Sequence, residues 1–329
     1  MSTPVLYLFV FCCCFFVISF IYEVGYRNVH PGDFFIAYKS FFYLIILAPF
    51  AGKHLFSIYQ LRLLFRCLLF VFLIKYILWL FFADFNRPGV FAENNFELMF
   101  LLLLTIAVRI RTGKIENFEL IILSLVMFMS GSQSGLLSFF FVLLVYSFQQ
   151  IDFKFLLKIV GLSVILLGIV TIVLSRLGSG GIESVDRYVF LQGFILAISN
   201  WDVGNFLIGN YGLTPLPDYV CSRLSFYETL FSLSGDGTCY SVVLHSYLLR
   251  AFYDHGILGL LFLVVGLAIL MFKSNMSFKH SVAIFGVLAL NALSVSSFNS
   301  VYSAIGLVLL LASTEVNSGV CNEKQKNRS

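Results

Sequence analysis

The stretch LLFRCLLFVFLIKYILWLFFA, residues 63–83, settles the class of the molecule. A hydrocarbon core takes about 20 apolar residues to cross, and only Arg66 and Lys75 interrupt this run. A helix at a water interface keeps one polar face, and this one has none. Composition extends the point to the whole chain. Its 329 residues are 60% hydrophobic and 12% charged, with 39 Phe, and mean hydropathy is +0.95. A soluble domain carries about 25% charged residues, and half that density cannot coat a surface of this size. A soluble enzyme, a nucleic-acid-binding module and a disordered chain are excluded. Helices are the expected spanning elements, because they satisfy their own backbone polar groups in lipid.

Outward from that run, apolar stretches recur at 5–22, 34–50, 96–108, 118–129, 136–148, 155–174, 257–272, 281–295 and 301–313. The expectation is an all-α integral membrane protein of about ten transmembrane helices with one large extracytoplasmic loop. The first stretch has no Lys or Arg before it and no small-x-small cleavage site after it. It reads as a retained span rather than a signal peptide. Charge fixes the orientation. With the N-terminus inside and the sides alternating, the inner connections hold Lys53 and Arg62, then Arg109, Arg111 and Lys114, then Lys154 and Lys158, then Lys273 and Lys279, and finally Lys324, Lys326 and Arg328. The outer ones hold Arg27, Arg87, Arg176, Arg187 and Arg223. That asymmetry obeys the positive-inside rule and puts both termini in the cytoplasm.

The chain divides into a bundle of about seven spans over 1–174, an extracytoplasmic loop over 175–244, about three more spans over 245–314 and a polar cytoplasmic tail over 315–329. A loop this long without a span of its own is usually functional. Its apolar segment 188–198 is too short to cross and is expected to lie in the interface plane. Cys221 and Cys239 share the loop, and an oxidising compartment allows them either to pair or to remain free thiols. No Gly-x-x-x-x-Gly-Lys-Ser/Thr phosphate loop, His-Glu-x-x-His, Asp-x-Asp or Cys/His ligand spacing occurs, so no metal, cofactor or ATP site is expected.

Three groups of residues on the outer side carry chemistry. Residues 84–97 crowd Asp84, Arg87, Glu93, Asn94, Asn95 and Glu97 around a Pro-Gly turn. This reads either as a solvated hairpin with an Asn cap or as a functional cluster, since an ionisable group entering a span is costly. Residues 130–135, Ser-Gly-Ser-Gln-Ser-Gly, are either a plain turn or a backbone cradle for an anion. The third group runs from Arg187 through Trp201 and the Phe-Leu-Ile-Gly-Asn-Tyr-Gly of 206–212, which contains Tyr211, to His245-Ser-Tyr-Leu and Asp254-His-Gly-Ile-Leu-Gly. On one helix Tyr247, Arg250 and Asp254 share a face by their i, i+3, i+7 spacing. Arg250 and Asp254 are then either a mutual ion pair or part of a site. His245 converges with Arg250 only from a frayed first turn. Lys75 is a buried charge without an evident partner.

The order of these motifs, from the turn that starts at Arg87 to the Asp-His-Gly-Ile-Leu-Gly of 254–259, resembles the O-antigen polymerase and ligase superfamily, Wzy-type repeat-unit polymerases among them. The likeness covers about 84–272. Gln133 stands where the family often has Arg, and the chain is short for a ligase. The resemblance implies a metal-independent, cofactor-free glycosyltransferase of the bacterial inner membrane. It would join undecaprenyl-pyrophosphate-linked oligosaccharides into O-antigen, capsule or exopolysaccharide, in contact with membrane lipids and alongside a chain-length regulator and a flippase, with no nucleic acid involved. Arg187, Arg250 and Arg87 are the cations for a departing pyrophosphate. His245 is the base for the acceptor hydroxyl, with Glu93 second. Asn94, Asn95, Trp201, Tyr211, Tyr247 and Asp254 are expected in substrate binding. The competing readings are an O-antigen ligase and a transporter of polysaccharide or lipid-linked oligosaccharide. A transporter should show repeats and discontinuous helices.

Overall fold

The computed structural model describes residues 1–82, 94–147, 186–210 and 212–313, and among them it is helical with no strand. Helix α1 (Thr3–Phe20) continues through a π-helical turn, Ile21–Tyr26. Helix α2 (Pro31–Leu47) starts on Pro31, whose missing N–H is not needed there, and the His30 side chain accepts from the Gly32 N–H. Then come α3 (Ile58–Phe82), α4 (Asn94–Thr112), α5 (Asn117–Met129) and α6 (Gln133–Ser147). Glu116 and Glu119 close a capping box at the head of α5. Between 186 and 246 there are only short helices: α7 (Asp186–Ala197), α8 (Val203–Ile208), α9 (Asp218–Arg223) and 3₁₀ turns. The last described helices are α10 (Tyr247–Lys273), α11 (Phe278–Ala292) and α12 (Val301–Leu311).

Among the described residues four segments are long and apolar enough to cross a membrane: Thr3–Tyr26, Pro31–Phe50, Ile58–Phe82 and Tyr247–Lys273. Helices α5, α6, α11 and α12 have 13, 15, 15 and 11 residues, fewer than the roughly 20 of a full crossing. The expected run at 155–174 lies outside the described residues.

Helix α4 sits at the centre. From Leu98 to Val108 all but Phe100 are buried, which is how a helix apolar on all sides behaves inside a bundle. Its neighbours are α3, α6, α11 and α12, while α1 and α2 pair and pack on α10. Hydrogen bonds sort the helix ends into two groups. At one end the Gly52 N–H donates to Ser274 Oγ at 2.9 Å, the Leu55 N–H to the Ala312 carbonyl at 3.0 Å, and Tyr146 and His280 meet at 2.8 Å. Arg62 and Arg66 also clasp Glu116 and Glu119 there. At the other end Glu23 accepts from the Leu213 N–H at 3.1 Å and Asp33 from the Leu233 N–H at 3.0 Å. The segment 186–246 therefore belongs to the second end, which is called the polar end below.

That segment has its own small core. Phe190, Phe194 and Ala197 of α7 pack against Val220, Leu224, Val243, Leu244 and Tyr253, while Leu191 and Ile195 on the opposite face are exposed.

Candidate functional site

Helix α10 is two helices in one. Gly256 takes φ 62° and ψ −168°, which ends the first half at His255 and starts the second at Ile257. Only glycine adopts that conformation without strain. The break is packed: the Gly209 backbone lies against it, and the Asn210 N–H donates to the Tyr253 carbonyl at 3.0 Å. That carbonyl would have been used by the next turn of an unbroken helix. The first half carries Tyr247, Arg250, Asp254 and His255, all buried.

Arg250 is 4% exposed and has no carboxylate within ion-pairing distance among the described residues. Its Nη1 donates to Ser296 Oγ at 2.7 Å and its Nη2 to the Ile36 carbonyl at 3.1 Å, while Nε has no partner. The ion pair with Asp254 is not formed. Asp254 accepts instead from Ser241 Oγ at 2.7 Å through Oδ2, and its Oδ1 has no partner. Both side chains lie on one face as their spacing implies, but each is turned to a different neighbour. Lys39, half-buried on α2 one turn from Ile36, lies close enough to Arg250 for the two charges to repel. The Asp254 carboxylate acts on Arg250 electrostatically without pairing with it, so Arg250 and Lys39 together leave an excess positive charge that favours an anion. Sequence reading missed Lys39, although a lysine inside an apolar run was the signal that singled out Lys75. It also missed Ser296 and Asn299, which sit between α11 and α12. Asn299 donates to the same Ile36 carbonyl at 2.9 Å.

His245 precedes the helix in a conformation with φ 54° and ψ −39°. A β-carbon is strained there, and such positions cluster at functional sites. Its ring lies 5.2 Å from Phe190 and 6.5 Å from Tyr227, and its carbonyl accepts from Ser296 Oγ at 3.3 Å. Ser296 thus joins His245 to Arg250. Arg187 stands exposed on α7, one turn before Phe190.

Trp201, half-buried, stacks one face on Phe252 at 5.7 Å and abuts Phe206 and Tyr253. That face is taken by the small core. Tyr247 is likewise stacked, on Phe298 at 5.2 Å. Cys221 and Cys239 are both free thiols rather than a bridge. Cys221 Sγ is turned to the Leu216 and Cys239 carbonyls at 3.5 and 3.8 Å, and burial pushes both thiol pKa values up.

Asn94 and Asn95 meet the 130–135 turn. Asn94 Nδ2 donates to the Ser130 carbonyl at 2.9 Å and its Oδ1 accepts from Tyr76, and Ser132 Oγ donates to Asn95 at 2.5 Å. Among the described residues no hydrogen bond joins this group to Arg250. Glu97 is the partner of Lys75, with Nζ 2.6 Å from Oε2 and both side chains 3% exposed. Arg87, Glu93 and Tyr211 lie outside the described residues. The chain matches no family model, no curated protein and no solved structure.

Proposed function

We propose that the chain is a polymerase that joins undecaprenyl-pyrophosphate-linked oligosaccharide repeat units on the outer face of a bacterial inner membrane. In this reading it has ten spans, both termini are cytoplasmic, and 175–244 is the extracytoplasmic loop. The observation that carries it is the buried guanidinium of Arg250 at the polar end, free of any ion-paired carboxylate and with Nε unpartnered. The acceptor hydroxyl attacks the anomeric carbon, and the bond to the pyrophosphate oxygen breaks. The charge that builds on that oxygen is met by Arg250 and Lys39, and Arg187 guides the anion in. His245 takes the hydroxyl proton, with Glu93 as second choice. No ATP is consumed, because the lipid pyrophosphate supplies the free energy.

The test is a gel ladder of surface glycan in a strain that depends on this chain. Arg250→Lys and Arg250→Ala should both collapse the ladder to single repeat units, because a point ammonium does not reproduce two-armed contact with phosphate. His245→Ala should reduce polymer by about 10²–10⁴ in rate. Loss of even the single unit would favour a ligase or a transporter. The transporter is the second reading with an observation of its own: the break of α10 at Gly256, since discontinuous helices line transport sites.

A further inference from the structure

A cavity of about 570 Å³ lies between α1, α2 and α10, within the size range of small-molecule sites. Its walls are Phe11, Phe15, Phe41, Leu258 and Phe262, and its polar groups are Ser19, Glu23, Tyr38, Asp254 and His255. Phe11, Ile18, Tyr22 and Leu258 are also exposed on the outside of the bundle, so the cavity opens sideways onto the apolar surface. Both helices order it in the same sense. Glu23 on α1 and Asp254 on α10 stand toward the polar end, and Phe11 and Phe262 lie deeper. Glu23 to Phe11 is twelve residues, about 18 Å at 1.5 Å per residue.

The polar end of the cavity holds the Ser19 and Tyr38 hydroxyls, which pair with each other, and beside them a set of acceptors. The Glu23 oxygens are taken by the Leu213 N–H and by Arg27, at 3.1 Å each. Asp254 Oδ1 and His255 Nε2 have no partner, and the other ring nitrogen of His255 faces the Ala37 carbonyl. A neutral imidazole that donates from that nitrogen leaves Nε2 as an acceptor. Two buried acceptors without donors are costly, and among the described residues no Lys or Arg lines the cavity, Arg27 reaching it only through Glu23. A ligand head that donates hydrogen bonds relieves the cost. A phosphate head brings only acceptors and meets two carboxylates.

We propose that this cavity binds a single-chain lipid whose head group donates hydrogen bonds and carries no negative charge, a hydroxyl or an ammonium. Its head sits by Asp254 and His255, and its chain runs along the aromatic wall toward Phe11. The site is separate from the Arg250–Lys39 pair and does not rest on the polymerase reading.

The full-length protein in phosphatidylcholine nanodiscs is titrated with three radiolabelled probes that share one chain: geranylgeraniol, geranylgeranylamine and geranylgeranyl phosphate. The alcohol and the amine should saturate at one per protein, and the phosphate should bind at least about tenfold more weakly, a difference of about 1.4 kcal/mol. Ile18→Trp should abolish binding of both without changing the melting temperature, because residue 18 lies at the mouth and its side chain faces outward. Asp254→Asn should reduce the amine more than the alcohol. Phosphate binding equal to that of the alcohol overturns the proposal, as does saturation unchanged in Ile18→Trp or the absence of saturable binding by any probe. Full competition by chainless ethanolamine assigns the site to a small cation and also overturns it.

Discussion

Gly209 and Gly256 meet backbone against backbone where α10 breaks, at φ 76° and 62°. A Cβ on Gly256 would fall 2.6 Å from the Gly209 nitrogen. Gly256→Ala therefore carries both a strained φ and an overlap. Gly235, at φ 74° with nothing within 4 Å of an added Cβ, carries the strain alone. Gly235→Ala should cost about 1 kcal/mol and Gly256→Ala clearly more, at or above the top of the 1–3 kcal/mol range for one strained residue. Melting temperatures in detergent compare the two, and equal losses would mean that the close approach is not maintained.

The pair of Lys75 and Glu97 makes a sharper claim. Removing one partner leaves a buried charge, so Lys75→Met or Glu97→Leu alone should destabilise by about 3–5 kcal/mol. The double change Lys75→Met with Glu97→Leu should recover most of that. A double-mutant cycle on thermal stability checks it. Additive losses would show that the two charges do not compensate each other.

Because Cys221 and Cys239 are thiols, maleimide should label Cys221 without prior reduction. A requirement for reductant would show a bridge. Burial holds both folded pKa values above the unfolded one of about 8.5. Their contribution to stability is therefore complete below about pH 8.5 and is lost as pH rises toward the folded values. Replacing both by Ala should flatten the alkaline limb of a stability–pH curve, and an unchanged limb would assign it to other groups.

Orientation is tested with alkaline phosphatase fusions. A fusion at Asp202 should be active, and fusions at Thr112 and Ser277 should be silent, since the basic residues cluster beside the latter two. Activity at Thr112 would invert the molecule and move Arg250 to the cytoplasmic half.

Much of the helical pattern was legible because a membrane imposes a single rule on composition. The apolar run at 257–272 even begins at the residue after the break, since Asp254, His255 and Gly256 end the hydropathy signal where the helix itself stops. What periodicity cannot supply is which neighbour a side chain chooses. Arg250 and Asp254 share a face, yet each finds a partner that sequence spacing does not bring near it: Ser296 and the Ile36 carbonyl for the one, Ser241 for the other. Lys75 was visible as an anomaly, but its partner on the next helix was not. Trp201 was legible as an aromatic in a polar loop. That one of its faces would be spent on Phe252, 51 positions along, follows only from a small second core.

The carboxylates of Glu23 and Asp33 are bound by backbone N–H groups 190 and 200 residues further along the chain. During synthesis at about 5–20 residues per second, that interval lasts about 10–40 s. For that time the first helical hairpin is in the membrane with Asp33 lacking its donors and Glu23 held only by Arg27. The insertion machinery, the lipid headgroups or water must hold them meanwhile. The first hairpin to be synthesised is thus among the last to be completed.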